Sequence, residues 1–395
     1  MSGLPLEGLR VLDLSTILAA PMISSLLGEF GATVIKIENP VGGDPVRNYP
    51  PLRGGESAMW TQYGRNKSSV GIDLHDSQGV ELVKGLVRET DVVVTNFRPS
   101  TLRRFGLDYE DLIAVNDRLI LLHLTAYGRT GPYSDRPGFA RVLEAFAGLT
   151  HRTGNPDGPP MFSGYPIADG VAGMYGAFAV MLAIRQRDLT GESQLIDLAL
   201  YEPLLRMMED FIPAYGATGA SATRVGNNNP SIAPNGLFRT ADDQWIVLPA
   251  STNQMWNRLL KFIDREDLSH LDTMAARIAN RDVVDGAVEQ YISAHTQAEL
   301  LHGLHAAGIA AGPVNTANDI VSDEHIIARG SILEAQDRHG NDTLLVSSAG
   351  RFSGFGPSTS VREPGLGEHT DEILSKALGL DNSQLNRLRA DGVIS

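Results

Sequence analysis

The first half of the chain repeats one hydrophobic pattern: a short apolar run rich in β-branched residues, a polar or Gly/Pro turn, and then apolar positions at helical spacing. The runs that predict strands are residues 11–15, 33–38, 69–74, 91–97 and 119–125. The segments that predict helices between them are residues 21–31, 77–89 and 109–115. Strands this apolar are buried on both faces of a sheet, so the pattern predicts an α/β fold built on a parallel sheet.

Further along the chain, two predicted helices at residues 169–187 and roughly 200–215 flank a strand at 194–198. Residues 217–234 (ATGASATRVGNNNPSIAP) are small and turn-forming and predict a linker, with a domain boundary near residue 225. After it, residues 236–248 predict a hairpin that turns at Asp242 and Asp243, helical segments reach residue 307, and residues 309–314 predict a short strand. The pattern therefore predicts a large domain over residues 1–215 and a small α+β domain over residues 225–330. A hairpin-like region and helices at 371–378 and 383–390 are predicted within residues 331–395.

Composition narrows the class of protein. The 395 residues are 42% hydrophobic and 20% charged, which is typical of a globular enzyme and excludes a disordered or coiled-coil chain. The formal net charge of −14 repels the phosphates of nucleic acids. The chain has no cysteine, which excludes disulfides, thiolate metal ligands and a cysteine nucleophile.

The compartment is predicted from the apolar segments. Glu7 and Arg10 interrupt the N-terminal sequence where a signal peptide would be apolar. The longest apolar stretch, residues 171–184, is shorter than the roughly 20 residues that cross a bilayer. We therefore expect a buried helix there and a cytoplasmic protein.

Familiar catalytic motifs are absent from the sequence. Residues 15–20 (STILAA) follow the first strand without the glycines of a dinucleotide-binding turn, and Asn66-Lys67-Ser68 lacks the glycines of a P-loop. No Gly-x-Ser-x-Gly elbow occurs. The grouping Glu299, His302 and His305 is interpreted as a solvated helix face and not as a metal site. What remains is carboxylate, hydroxyl and arginine chemistry.

Asp169 begins the most distinctive segment, residues 165–176 (YPIADGVAGMYG). One interpretation is an N-cap aspartate on a tightly packed helix. The other is a nucleophile, because a helix N-terminus favours an ionised carboxylate and small neighbours leave room for a ligand. The spacing alone does not choose between the two.

Several segments together resemble the class III CoA-transferases, the CaiB/BaiF family, over nearly the whole chain. They are residues 11–44 (VLDLSTILAAPMISSLLGEFGATVIKIENPVGGD), 64–74 (GRNKSSVGIDL), 91–107 (DVVVTNFRPSTLRRFGL), 125–139 (TAYGRTGPYSDRPGF), the Asp169 helix with 190–202 (TGESQLIDLALYE), and 364–374 (PGLGEHTDEIL). Their order and spacing are more specific than any single segment.

This resemblance implies the activity and the site. Asp169 is the expected nucleophile, attacking an acyl-CoA thioester to give a mixed anhydride and then an aspartyl-CoA thioester, and Glu144 is the expected carboxylate near the reaction centre. The positions implied for CoA binding are Ile17, Leu18, Ala19, Ile72, Leu74, Asn96, Phe97, Arg98, Arg104, Phe105 and Arg141. Asn39 stands where some relatives carry an adenine-stacking arginine.

The resemblance also implies the partners and the architecture. Acyl-CoA and a small carboxylic acid are the expected substrates, with no tightly bound cofactor and no metal. Gly226, Asn227, Asn228 and Asn229 occupy the place of a glycine-rich lid loop, with a flexible linker as the alternative. The implied fold is a large Rossmann-like domain, to which residues 331–395 return, with a smaller domain, in an interlocked-ring homodimer.

Two other functions are considered. An α-methylacyl-CoA racemase of the same fold would need a histidine base in the segment PGFARVLEA, where this chain has Phe139 and Ala140. His123, inside a predicted strand, is interpreted as a packed core residue. A protein that binds acyl-CoA without chemistry would gain nothing from a desolvated carboxylate beside the thioester. The identities of the donor and acceptor stay open, with succinyl-CoA and a short dicarboxylate as the expectation from the family.

Overall fold

The computed structural model describes residues 3–358 and 362–395 of the chain. Its backbone divides into two compact units. The first consists of Met1–Leu149, Ser163–Gly216 and His325–Ser395, and the second of Thr150–Phe162 and Ala217–Glu324.

Helices and strands alternate along most of the chain. Up to residue 125 they are β1 (Arg10–Asp13), α1 (Ala19–Glu29), β2 (Thr33–Glu38), β3 (Leu52–Arg53), β4 (Glu56–Ser57), α2 (Ala58–Gly64), β5 (Lys67–Gly71), α3 (Ser77–Val87), β6 (Val92–Thr95), α4 (Pro99–Phe105), α5 (Tyr109–Ile113) and β7 (Ile120–Thr125). Up to residue 249 they are α6 (Ala140–Phe146), α7 (Leu149–Arg152), α8 (Ile167–Thr190), β8 (Gln194–Ala199), α9 (Glu202–Met207), α10 (Phe211–Thr218), β9 (Asn235–Arg239) and β10 (Trp245–Pro249). The remaining ones are α11 (Asn253–Phe262), α12 (Met274–Ala279), α13 (Arg281–Ile292), α14 (Gln297–Ala306), β11 (Gly312–Pro313), α15 (Ala317–Ser322), α16 (Glu324–Ala328), β12 (Ile332–Gln336), β13 (Asp342–Val346), α17 (Thr370–Leu378) and α18 (Asn382–Ala390).

The first unit is built on a six-stranded parallel sheet with the strand order β5-β2-β1-β6-β7-β8. The predicted α/β fold with a parallel sheet is therefore confirmed. Counting only these six strands along the chain, the order is 3-2-1-4-5-6, the Rossmann order, in which the direction of winding reverses between the first and fourth strands. In this chain the reversal lies between β1 and β6.

Both faces of this sheet carry a hydrophobic core, as the uniformly apolar strands predict. Successive residues of a strand point to opposite faces. Val11 thus joins a core formed with α1 and α8, while Leu12 joins a core formed with α3, α4 and the C-terminal helices α17 and α18. Leu374 and Leu385 belong to this second core.

Helix α8 packs closely against α1 because it presents glycines to it. A Cβ built on Gly173 would lie 2.5 Å from Met22 Sδ, and one built on Gly176 would lie 2.4 Å from Ile23 Cδ1. Such distances are below any ordinary contact, so only glycine fits at these two positions. This packing fixes the N-terminal end of α8, where Asp169 lies.

The prediction that the apolar stretch near residue 180 is too short to span a bilayer is wrong for the helix that contains it. Helix α8 has 24 residues, and by length and composition alone it could cross a membrane. Its contacts with α1 and the sheet are those of a core helix, and such helices pass the same test.

The single helix predicted near residues 200–215 is also wrong, since the structure has two short helices there, α9 and α10. Pro203 and Pro213 each lie in the first turn of one of them. A proline lacks the N–H that a helix interior needs but fits the first turn, so each proline marks a start.

The second unit has its own core. Strands β9 and β10 form an antiparallel hairpin, and β11 pairs with β10. Asp243 lies in the hairpin turn with φ +59°, in agreement with the predicted turn at Asp242 and Asp243. Trp256 of α11 and Val288 of α13 are fully buried in this core.

Candidate active site

The reversal point of the parallel sheet positions the candidate site. In open α/β sheets, ligands bind where neighbouring loops leave the carboxyl ends of the strands in opposite directions. The loops after β1 and β6 meet there through Asn96, whose Oδ1 accepts from Thr16 N at 3.0 Å and whose Nδ2 donates to Thr16 O at 2.8 Å. Asn96 thus joins the two loops on either side of the crevice.

A cavity of about 280 Å³ lies at this point, and we call it the carboxylate cavity because Asp169 lines it. Of the positions implied for CoA binding, it is lined by Ile17, Leu18, Ala19, Asn96 and Arg98. The other lining residues are Thr16, Leu124, Thr125, Ala126, Ser134, Arg136, Pro137, Gly138, Phe139 and Leu200. The structure therefore brings the β1 loop and Asp169 to one cavity, although they are far apart in sequence.

A second cavity of about 140 Å³ adjoins it through Thr16, and we call it the aromatic shelf. Four further positions implied for CoA binding line it: Ile72, Leu74, Phe97 and Phe105. The Phe105 ring packs edge-on against Phe97 and His75, and the Arg104 guanidinium lies 5.4 Å from the Phe105 ring centroid. A flat apolar ring system flanked by a cation is a surface on which an aromatic ligand such as a purine can stack.

The aromatic shelf also contains Asn39, which lines it. The Asn39 side chain accepts a hydrogen bond from Val41 N at 2.8 Å, so it stabilises its own turn. His75 forms an aromatic wall of this cavity that the sequence reasoning did not assign. It follows Leu74 directly, and its aromatic character next to the segment GIDL is the signal that could have identified it.

Asp169 lies in the first turn of α8, two residues after the helix begins. Its carboxylate is half-buried, and no hydrogen bond to it occurs within the described chain. Burial, and next the nearby charge of Glu144, raise the pKa of Asp169 to about 6, although the Arg141 guanidinium acts in the opposite direction. The N-cap interpretation of Asp169 is wrong, because the N-cap residue is Pro166 and no side chain caps this helix.

Glu144 and Arg141 form an ion pair beside Asp169. Both come from α6, and Arg141 Nη1 donates to Glu144 Oε2 at 2.9 Å. Glu144 is almost completely buried, and its Oε1 accepts from Ala168 N at 3.4 Å, which ties α6 to the start of α8. The structure therefore places Glu144 next to Asp169, and Arg141 beside the same pair of carboxylates.

The β1 loop is supported from below by a buried ionic network. Asp13 at the end of β1 lies 2.9 Å from Lys67 Nζ and 3.8 Å from Lys36 Nζ, and all three side chains are inaccessible to solvent. Lys36 continues to Asp44 at 3.0 Å, and Asp44 accepts from Ile17 N at 3.0 Å. This contact holds Ile17 at φ +74°, a conformation that a β-branched residue adopts only when its surroundings fix it.

Two tyrosines and an arginine near Asp169 were not predicted from the sequence. Tyr63 and Tyr165 join hydroxyl to hydroxyl at 3.2 Å, and the Arg136 guanidinium stacks on the Tyr133 ring at 3.6 Å while lining the carboxylate cavity. Arg136 lies within the segment TAYGRTGPYSDRPGF, so its position could have been inferred. Tyr63 and Tyr165 come together only in three dimensions, and no local pattern announces them.

The remaining predicted positions lie elsewhere. Gly226, Asn227, Asn228 and Asn229 belong to the second unit, where Gly226 has φ +62° and its N–H donates to Gly154 O at 3.0 Å. His123 is fully buried and contacts Phe97 O and Arg129, as expected of a core residue.

Metal and helix-face predictions concern a different part of the chain. His305 contacts Ala311 O, and Glu299 caps its own helix through Thr296. Over residues 3–358 and 362–395, no group of three or more histidines and carboxylates could hold a metal ion.

Comparison with known proteins gives a consistent result. The model of CoA-transferase family III matches residues 6–370. The β subunit of succinyl-CoA–L-malate CoA-transferase from Chloroflexus aurantiacus is 38% identical, with the alignment covering 99% of this chain and 98% of that protein. Succinyl-CoA:glutarate CoA-transferase from Homo sapiens is 32% identical over 99% of this chain and 90% of its own length.

Solved structures agree with the sequence relatives. A CaiB/BaiF family protein from Brucella suis superposes with a TM-score of 0.86 at 32% identity, covering 95% of this chain and all of that one. The similarity thus extends through both units and is not limited to the parallel sheet.

Proposed function

This chain belongs to CoA-transferase family III, and from that premise we propose that it moves CoA from succinyl-CoA to a short dicarboxylic acid through covalent intermediates on Asp169. The observation that carries the proposal is the half-buried Asp169 carboxylate, which lines the carboxylate cavity at the reversal point of the sheet. It has no hydrogen-bond donor within the described chain, and its pKa is raised to about 6. A carboxylate left this poorly solvated is costly to the fold but well suited to attack a thioester.

The reaction is a series of four acyl exchanges. An oxygen of Asp169 attacks the thioester carbonyl of succinyl-CoA, the C–S bond breaks, and CoA leaves as a thiolate from a succinyl-aspartyl anhydride. The thiolate attacks the Asp169 carbonyl, which releases succinate and forms an aspartyl-CoA thioester. The acceptor carboxylate then attacks that thioester and displaces the thiolate, and the thiolate attacks the acceptor acyl carbonyl and restores the Asp169 carboxylate.

No net proton is transferred in this sequence. The thiol of CoA ionises near pH 8.5 in its ordinary state, so its thiolate is a reasonable leaving group and nucleophile at neutral pH. Each step replaces one activated acyl group with another, and water is the main competitor for the anhydride and the thioester.

The two adjoining cavities support one orientation for CoA. The aromatic shelf offers stacking surfaces for the adenine, and Arg104 and Arg98 lie near it and in the carboxylate cavity, where they can pair with phosphates. From the shelf, the chain of CoA would run past Thr16 and the β1 loop toward Asp169. Arg141, which pairs with Glu144, would then lie at the thioester end of the ligand and not at the adenine end.

Substrate class follows from the relatives and from the charge in the cavity. The relatives from Chloroflexus aurantiacus and Homo sapiens act between succinyl-CoA and L-malate or glutarate, both short dicarboxylates. Arg136 and Arg98 line the carboxylate cavity and provide positive charge for the distal carboxylate of such an acid. We therefore assign a short dicarboxylate to the acceptor as well as to the donor.

We propose that the segment Gly226, Asn227, Asn228 and Asn229 acts as the lid that excludes water during turnover. Glycine at φ +62° and short polar neighbours make a backbone that can change conformation at little cost. A lid is needed because both intermediates on Asp169 are open to hydrolysis.

We propose a homodimer, in the interlocked-ring form implied by the family resemblance. Helix α8 exposes Met174, Phe178 and Leu182, each more than half accessible in the isolated chain. Large apolar side chains in one row along a core helix indicate a surface that a second chain covers. Sedimentation at micromolar concentration should give twice the mass of 42.5 kDa, and a monomer would contradict the proposal.

The central test is the replacement of Asp169. Asp169→Asn keeps the size of the side chain and removes the nucleophile, and Asp169→Glu displaces the carboxylate by about one methylene. Both should retain acyl-CoA binding and lose CoA transfer by far more than about 100-fold, the cost of a misplacement of about 1 Å alone.

Trapping with hydroxylamine or borohydride in the presence of succinyl-CoA should mark Asp169 in the parent enzyme. Exposed Asp371, paired on the surface with Arg389, provides a matched control, because Asp371→Asn removes a carboxylate without touching either cavity. Label on another residue, or CoA transfer by Asp169→Asn at a rate comparable to the parent, would overturn the covalent mechanism.

A further inference from the structure

The Tyr63–Tyr165 pair lies beside the nucleophile and has no role in the four acyl exchanges on Asp169. Tyr63 ends α2 and packs on the small cluster of Leu18, Val46 and Trp60, of which Leu18 lines the carboxylate cavity. The main chain of Tyr63 is held by Ser25, whose hydroxyl donates to Tyr63 O at 2.7 Å.

Tyr165 approaches from the other side of the nucleophile. Its ring lies against Gly170, the residue after Asp169, so that a Cβ built on Gly170 would be 3.1 Å from Tyr165 Cε1. Its main-chain oxygen accepts from Ser163 Oγ at 2.7 Å, and Ser163 Oγ in turn accepts from Arg141 Nη1 at 3.3 Å. Both tyrosines are therefore anchored to segments that also position the active site.

The two hydroxyl groups leave one hydrogen unused. They contact each other at 3.2 Å, and neither makes another hydrogen bond within residues 3–358 and 362–395. Each phenol has one donor hydrogen, so when one donates to the other, a single hydrogen remains for a ligand. Burial first, and then the Tyr165 hydroxyl and the charge of Asp169, raise the pKa of Tyr63, so it keeps its proton at neutral pH.

A gap separates this hydrogen from the nucleophile. Tyr63 senses the charge of Asp169, yet no hydrogen bond joins either tyrosine hydroxyl to that carboxylate in the described chain. A group that lies between them can accept from the phenol on one side and be attacked by the carboxylate on the other. In the proposed reaction, that group is the thioester carbonyl.

We propose that Tyr63, positioned by Tyr165, donates a hydrogen bond to the acyl carbonyl oxygen that becomes negatively charged when Asp169 attacks the thioester. The inference rests on the covalent function assigned to Asp169. As the Asp169 oxygen bonds to the carbonyl carbon, the electron pair of the C=O bond moves to the acyl oxygen. The hydrogen bond from Tyr63 stabilises this oxyanion until the C–S bond breaks, and Tyr63 keeps its proton throughout.

The discriminating experiment compares Tyr63→Phe and Tyr165→Phe with the parent, using succinyl-CoA and a panel of short dicarboxylates as acceptors. Tyr63→Phe should lower kcat by about 100- to 1,000-fold, the usual loss when one oxyanion donor is removed, and should leave KM for succinyl-CoA within about threefold. Tyr165→Phe should lower kcat less, because Tyr63 keeps its own hydrogen. In a single turnover, Tyr63→Phe should slow the formation of trapped acyl-Asp169.

A matched control is available in Tyr109→Phe. Tyr109 also bonds through its hydroxyl, to Ser193 Oγ at 2.8 Å, but near the opposite end of α8, which is about 36 Å long. Its kcat should equal that of the parent. Melting temperatures of all three variants within a few degrees of the parent exclude a general loss of folding as the cause.

Three outcomes would decide the matter. The expected loss in kcat with little change in KM supports the oxyanion role. A kcat within about twofold of the parent, or a raised KM with unchanged kcat, would overturn it, the second because the pair would then bind an acid equally in the ground and transition states. Failure of the proposed function itself would look different, since the parent enzyme would then form no trapped adduct on Asp169.

Discussion

Two acidic side chains of the large unit, Asp13 and Asp169, are both removed from water but in opposite electrostatic settings. Burial alone would raise the pKa of Asp13, yet the ammonium groups of Lys36 and Lys67 and two serine hydroxyls outweigh it and hold the pKa far below its ordinary value. Asp169 has a carboxylate as neighbour and no donor in the described chain, and its pKa is raised to about 6.

The difference separates a structural carboxylate from a reactive one. Every oxygen of Asp13 is engaged, so the group stabilises the β1 loop and is not available to a substrate. Asp169 is left without partners at a cost in stability, and its reactivity is the return. Changes at Asp13, Asp169 and Glu144 could each remove this distinction, and the expected effects decrease from the first to the last.

Removal of the Asp13 charge should have the largest effect on stability. Asp13→Asn leaves two buried lysines without their shared partner, which costs about 3–5 kcal/mol in the free energy of unfolding. Denaturant titration of the parent and the variant measures it. Asp371→Asn, which breaks an exposed ion pair, should cost less than about 1 kcal/mol under the same conditions. A variant at position 13 as stable as the parent would show that the network is not structural.

Removal of the Asp169 charge should act in the opposite direction. The folded pKa of about 6 lies above the ordinary 3.8, so the ionised group destabilises the folded state above pH 6, and this penalty declines as the pH falls through 6 toward 4. At pH 7.5, Asp169→Asn should therefore raise the free energy of unfolding by at most about 3 kcal/mol, at about 1.4 kcal/mol per pKa unit.

At pH 5, the gain from Asp169→Asn should be clearly smaller, because the parent is then largely protonated at this position. Denaturant titrations at the two pH values give the comparison. An Asn variant that is less stable than the parent at pH 7.5 would mean that Asp169 is as well satisfied as Asp13.

The rate should depend on the protonation state of Asp169. Only the ionised carboxylate attacks, so kcat/KM should fall as the pH decreases through about 6 and should reach about one-tenth of its plateau at pH 5. The pH profile of CoA transfer from succinyl-CoA measures this directly. A flat profile between pH 5 and pH 7 would contradict the raised pKa.

Glu144 should determine part of that pKa. Glu144→Gln keeps an oxygen for Ala168 N but removes the negative charge that raises the pKa of Asp169, so the acidic limb of the profile should move to lower pH by less than about one unit. Glu209→Gln, on an exposed ion pair with Arg206, should leave the limb in place. A shift to higher pH in Glu144→Gln would reverse the assigned sign of this interaction.

Much of the fold could be predicted from the sequence, because the parallel sheet is encoded locally. Strand β2 begins and ends at the predicted residues, Thr33 and Glu38, and the alternation of apolar runs with helical segments indicated the α/β class. The break between α9 and α10 was missed, although Pro203 and Pro213 mark it. Such errors concern boundaries and not the architecture.

The site could be predicted only in part. The resemblance pointed to Asp169 and to the residues that line the two cavities, because these lie in contiguous segments. Its raised pKa depends on Glu144, which reaches it from another helix, and the Tyr63–Tyr165 pair joins positions that are 102 residues apart. Interactions of this kind are properties of the packed chain, and no periodicity in the sequence reports them.

The position of helices α17 and α18 has a consequence for synthesis on the ribosome. Leu374 and Leu385 complete the core on one face of the parallel sheet, yet they are translated after the whole of Ala217–Glu324. That segment is contiguous, carries most of the second unit and can fold as it emerges, whereas the strands made earlier wait with one apolar face open. The nascent chain therefore exposes its oldest hydrophobic surface longest, and this is the stage at which chaperone binding or aggregation would compete with folding.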